Sequence, residues 1–150
     1  NLDRGMRQLN WFFKMGQNIL LIENSIAMRQ LLKTVLGLSF RTKACTNCYE
    51  AAQWLEAKTV DLIVLAVPHE QHDHFGFLQH LASSSLLSDL PVLVMSENGS
   101  PAFREQCLDA GVVAFFHKPF DPLMLRECIV EFFNTVRTFT RPVQPLWASA

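Results

Sequence analysis

Residues 61–68 read DLIVLAVP. Six apolar side chains follow one another from Leu62 to Val67, most of them branched, and a proline closes the run. The run is strand-sized and has no polar alternation, so it predicts a strand over 61–67 buried on both faces. It opens into a polar knot, His69, Glu70, His72, Asp73 and His74.

Upstream, NILLI at 18–22 is a second short apolar run, with Ser25 as the N-cap of a following helix. Ile26, Leu31, Leu32, Val35, Leu36 and Leu38 are expected to form that helix's apolar face. Residues 40–45 predict a less hydrophobic strand nearer an edge. Asn47 with Glu50 three residues later resembles a capping box for a helix through Ala57. Downstream, a helix over about 74–87 carries Phe77, Leu78, Leu81 and Leu86. Pro91 opens a fourth strand, PVLVM. Ser100-Pro101 suits the Ncap–N1 start of a helix over 101–110, and Gly111 suits its C′ position. VVAFF at 112–116 is the fifth strand. Asp121-Pro122 caps a last helix to about Thr138, with Leu123, Leu125, Cys128, Ile129, Phe132 and Phe133 inward.

Strands alternating with helices predict an α/β fold, a doubly wound five-stranded parallel sheet with right-handed crossovers. Function in such folds gathers at the carboxyl ends of the strands. The residues in question are therefore Glu23 and Asn24, Ala66 to His74, Ser96 and Glu97, and His117 to Phe120. Lys118-Pro119 stands out among them, because a cis-capable X-Pro bond fixes the direction of the lysine.

The bulk numbers agree with one domain. The chain has 150 residues, 49% hydrophobic and 18% charged, with a formal net charge of −1. No basic excess favours nucleic acid. No apolar run is long enough to span a membrane. The chain starts at Asn1, so a trimmed or partial product is expected. The domain is expected over 16–139. Residues 1–15 are read as an appendage, helical through Met6, Leu9 and Phe13, and 140–150 as a tail or linker. Cys45, Cys48, Cys107 and Cys128 include one C-x-x-C without a second pair at zinc-finger spacing, so they read as thiols in a reducing cytoplasm.

Over roughly 17–138 the chain resembles a response-regulator receiver domain, the CheY-like family. ILLIENS at 19–25 is similar to the family's first strand with its acidic pair. DLIVLAVP resembles its third strand, and VLVMSE at 92–97 its fourth with the Ser/Thr. FFHKPFDPLML at 115–125 resembles the fifth strand, the Lys-Pro and the start of the last helix. The resemblance implies a flavodoxin-like (βα)5 fold with strand order 2-1-3-4-5. It implies phosphoryl transfer from a partner kinase's phosphohistidine to an aspartate ending strand three. Magnesium, a lysine, a hydroxyl and a strand-five aromatic would support that step.

The chain departs from this pattern at the decisive places. Ala66 holds the acceptor position, and the acidic pair is Glu23 and Asn24. Ser96, Lys118 and Phe115 remain. Asp61 begins strand three at the wrong end, and Asp73 lies past the pocket. The expectation is a degenerate pocket of Glu23, Asn24, Ala66, Ser96, Phe115 and Lys118. In it Lys118 pairs with Glu23 and holds the pocket shut, and magnesium binding is weak or absent. No cofactor and no catalysis are expected: IENSIA at 22–27 lacks G-x-G-x-x-G, and neither a P-loop nor a G-x-S-x-G occurs.

The resulting reading is a cytoplasmic two-component module that binds protein partners or an output domain without being phosphorylated. Two alternatives stand beside it. One is a metal- or pH-responsive loop using His69, His72 and His74. The other is an inert spacer next to an output domain. A homodimer is expected through the helix four, strand five, helix five face, drawing on Phe103, Phe115, Phe116, Arg126, Glu127 and Glu131. Trp11-Phe12-Phe13 and Trp147 are further candidates for contact.

Overall fold

The computed structural model describes residues 16–69 and 74–140. The expectations for residues 1–15, for Glu70, His72 and Asp73, and for Trp147 fall outside them. In chain order the elements are β1 (Asn18–Ile22), α1 (Ile26–Leu36), β2 (Arg41–Cys45), α2 (Cys48–Ala57), β3 (Leu62–Val67), α3 (His74–Ser83), β4 (Val92–Ser96), α4 (Pro101–Asp109), β5 (Ala114–His117) and α5 (Pro122–Thr140). All strand pairs are parallel, in the order β2-β1-β3-β4-β5.

Local chemistry sets the helix starts. Ser25 Oγ accepts from Met28 N, and Ser100 Oγ accepts from Phe103 N with Pro101 opening α4. Asn47 Oδ1 accepts from Glu50 N at 2.8 Å, while Glu50 Oε2 accepts from Thr46 N at 2.8 Å. The exchange is that of a capping box, with its return bond one residue earlier than the usual form. Gly111, at φ 91°, turns the chain out of α4 in a conformation that side chains resist.

The sheet divides the core into two layers. Leu20, Ile22, Ile63, Leu65 and Val94 face α2, α3 and α4, where Phe77, Leu81 and Phe103 meet them. Ile19, Leu21, Val64, Leu93 and Met95 face α1 and α5, where Leu32, Leu36, Leu125 and Ile129 meet them. β3 is thus covered on both faces, as its unbroken apolar run requires.

Several expectations need correction. Ile26, Leu31 and Leu38 are exposed. Leu38 lies in the turn beyond the end of α1. Ile26 and Leu31 lie ~100° or more around the axis from Leu32, at 3.6 residues per turn, so neither shares the buried stripe. Leu123 is exposed for the same reason, on the far side of α5 from Leu125. α3 ends at Ser83 and leaves Leu86 92% exposed. Ser83 Oγ donates to His80 O and Ser84 Oγ accepts from Leu86 N, side-chain bonds that compete with the helical ladder. β5 begins two residues later than expected, because Val112 N donates to Cys107 O and tucks that residue back under α4. β2 begins at Arg41, and α5 continues to Thr140.

Candidate functional site

At the carboxyl edge of the sheet lies a cleft of about 670 Å³. Three strand ends supply its floor. Ile22 ends β1 and Glu23 follows it, Ala66 and Val67 come from β3, and Lys118 follows β5. The expected ion pair is present: Lys118 Nζ stands 2.8 Å from Glu23 Oε2, with the side chains 16% and 5% exposed. The Lys118–Pro119 peptide bond is cis, and Lys118 N donates to Ser96 O at 2.7 Å.

The turn carrying Glu23 is fastened on all sides. Glu23 N donates to Cys45 O at 3.0 Å, and Glu23 Oε1 accepts from Ser25 N at 3.0 Å. Arg29 reaches back along α1, and its Nη1 donates to Glu23 O at 2.9 Å and Asn24 O at 3.3 Å. Both carboxylate oxygens of Glu23 therefore have donors.

Glu23, Asn24, Ala66 and Lys118 come together in the cleft, and His69 and His74 stand on its rim. Ser96 and Phe115 are not among its walls. Ser96 is fully buried, and its Oγ accepts from Asn98 N at 3.1 Å. Phe115 packs toward α4, with its ring centroid 5.8 Å from that of Phe103 and Arg104 above it at 6.0 Å. The ion pair forms, yet a cleft remains beside it, so the expectation of a shut pocket gives way to an open one.

The sequence reading named Asn47 only as a helix cap and passed over Thr46 and Tyr49; all three line the cleft beside β2. The signal was available, since the rule that located the other residues applies equally to the carboxyl end of β2. The next loop is also tightly built. His117 Nε2 lies 3.0 Å from Glu97 O, and a Cβ on Gly99 would stand 2.7 Å from that same nitrogen.

The donor set does not suit magnesium. Hard divalent cations require several oxygen ligands, usually charged. Here Ala66 offers none, Asn24 is neutral, and Glu23 is occupied by Lys118 and Ser25. Among the described residues, no group of three His, Cys, Asp or Glu side chains could hold a metal ion. The His69, His72, His74 alternative is not favoured, and His72 lies outside those residues. Among the described residues, no helix is long and apolar enough to cross a membrane.

Known proteins share this architecture. The response regulator receiver domain family matches residues 19–130. The cyclic di-GMP phosphodiesterase response regulator RpfG of Xanthomonas campestris is 27% identical over 115 residues, covering 75% of this chain and 30% of that protein. The two-component response regulator-like APRR3 of Arabidopsis thaliana is 31% identical over 104 residues, covering 67% of this chain and 21% of that protein. The chain thus spans less than a third of either relative's length. A signal receiver domain of a histidine kinase from Syntrophus aciditrophicus superposes with a TM-score of 0.72 at 23% identity, over 87% of this chain and 97% of that one. That likeness speaks to the fold, while the family match covers most of the chain and all five strands but for the first residue of β1. By fold and by sequence, the chain belongs to the response regulator receiver domain family.

Proposed function

We propose that this receiver domain signals without phosphorylation at the strand-three position, as a protein-interaction module for an output domain or partner. One observation carries the reading. Ala66 presents a methyl group on the cleft floor, and the neighbouring Lys118 is held by Glu23 at 2.8 Å. A methyl group cannot form an acyl phosphate, and the lysine already has its counter-charge. The domain is then a binding module over 16–139, acting in the cytoplasm, with the segments on either side as connections.

The test is incubation with acetyl phosphate, or beryllofluoride with magnesium, followed by mass spectrometry and amide spectra. No incorporation and no magnesium-dependent shift are expected. Either one would overturn the reading. Ala66→Asp combined with Asn24→Asp is expected to recover part of the beryllofluoride response.

The partner surface is proposed at α4, β5 and α5, centred on exposed Arg104, Glu127 and Glu131. Phe103 leaves the expected set, being 3% exposed. Sedimentation equilibrium should find a dimer weakened by reversing Glu127 and Glu131 to Lys, and a strictly monomeric chain would remove this face as a self-contact.

A further inference from the structure

At the amino edge of the sheet, opposite the cleft, lies a groove of about 650 Å³. Its walls are Leu90 and Pro91 ahead of β4, Val113 ahead of β5, and Phe132, Phe133 and Val136 on the C-terminal half of α5. Val113 and Val136 are 48% and 40% exposed. The apolar part of this lining, open to water beside the polar Gln17, Asp61, Ser88 and Asp89, favours an apolar occupant. Gly16 and Gln17 form part of the rim, so the chain enters the described fold at the mouth of the groove.

The residues immediately before that entry suit it. Trp11, Phe12 and Phe13 lie five to three positions ahead of Gly16. An extended chain spans at most ~3.3–3.6 Å per residue, which gives Phe13 a reach of ~10 Å and Trp11 ~17 Å from the rim. Each aromatic buries ~150–250 Å² when enclosed. The charges are complementary as well. Residues 1–15 carry Arg4, Arg7 and Lys14 against a single acid, Asp3. Asp61 and Asp89 line the groove and are exposed, and Asp61 Oδ2 accepts from Asn18 N at the first residue of β1.

We propose that the groove is the seat of the chain's own segment 1–15, with the Trp11-Phe12-Phe13 cluster against Val113, Phe133 and Val136 and the basic side chains beside Asp61 and Asp89. The segment then acts as a strap over the amino edge of the sheet and ties β1 to α5.

The full chain with Trp54→Phe and Trp147→Phe reports on Trp11 alone. Its emission is expected at short wavelength, poorly quenched by acrylamide and independent of protein concentration. Adding Val113→Asp and Val136→Asp, both at partly exposed positions, should shift the emission to the red and raise quenching several-fold. Solvent-exposed emission before those changes, or emission indifferent to them, overturns the proposal. A shielding that grows with concentration assigns the groove to a second copy and overturns it equally. In a companion chain that retains only Trp147, shielding released by the same two changes would place residues 141–150 in the groove instead. If the aspartate pair unfolds the chain, hydrogen exchange decides. Replacing Trp11, Phe12 and Phe13 by Ser should speed exchange of the 132–136 amides several-fold, and unchanged protection removes the strap.

Discussion

Lys118 and Glu23 lie 95 residues apart in sequence and meet at 2.8 Å across the sheet edge. Charges this sheltered are costly to leave alone, and the penalty of orphaning one usually exceeds the net worth of the pair. Lys118→Met would leave the Glu23 carboxylate, 5% exposed, with only the Ser25 N–H as donor. The expected loss is about 3 kcal/mol, or roughly 10 °C in thermal unfolding. Adding Glu23→Leu should recover part of it, because the stranded charge is then gone. A double variant no more stable than Lys118→Met would mean that the carboxylate finds other partners. Residue identity at this scale was legible. An alanine, an asparagine and a lysine at three strand ends could be read from the sequence, and the structure gathers them in one cleft. The direction of Ser96 was not legible, since its hydroxyl is turned by the N–H of Asn98 in a loop whose path depends on its neighbours.

Among the elements, the β4–α4 loop runs close against the residue that ends β5. Gly99 approaches His117 so closely that a methyl group would press on Nε2, Cδ2 and Cε1 at 2.7 to 3.0 Å. Gly99→Ala should displace the exposed His117 ring from Glu97 O and cost up to about 1 kcal/mol, the scale of the hydrogen bond lost. In a His117→Ala background the same change should cost almost nothing, and a double-mutant cycle by chemical denaturation measures the difference. Equal costs in both backgrounds would mean that the ring is not the obstacle. Element boundaries followed a similar division between local and distant causes. The caps at Ser25, Asn47 and Ser100 were readable because each bonds within a few residues. The late start of β5 was not, because Val112 is drawn under α4 by Cys107 O. Arg29 escaped notice for another reason. Helix α1 was read for its apolar stripe, and a side chain bonding back to the turn before its own helix leaves no mark on that periodicity.

For the whole molecule, the two core layers determine how it answers alkali. Burial raises the thiols of Cys45, Cys107 and Cys128 above their ordinary value of 9.0. Glu50 adds to the rise at Cys45, and Glu131 at Cys128. The unfolded chain ionises these thiols first, so their contribution is complete below about pH 9 and is lost as pH climbs through the raised values. Melting temperature should therefore hold level from about pH 7 and fall above about pH 9. A Cys107→Val, Cys128→Ala variant should fall less steeply, and an identical slope would assign the decline to other groups. At the opposite end of the fold from the proposed strap, the Arg29 guanidinium clasps the β1–α1 turn through two carbonyls. The turn that carries the acid is thereby held by a side chain of its own helix. A ligand entering on this side of the cleft meets a turn whose two carbonyls already accept from Arg29.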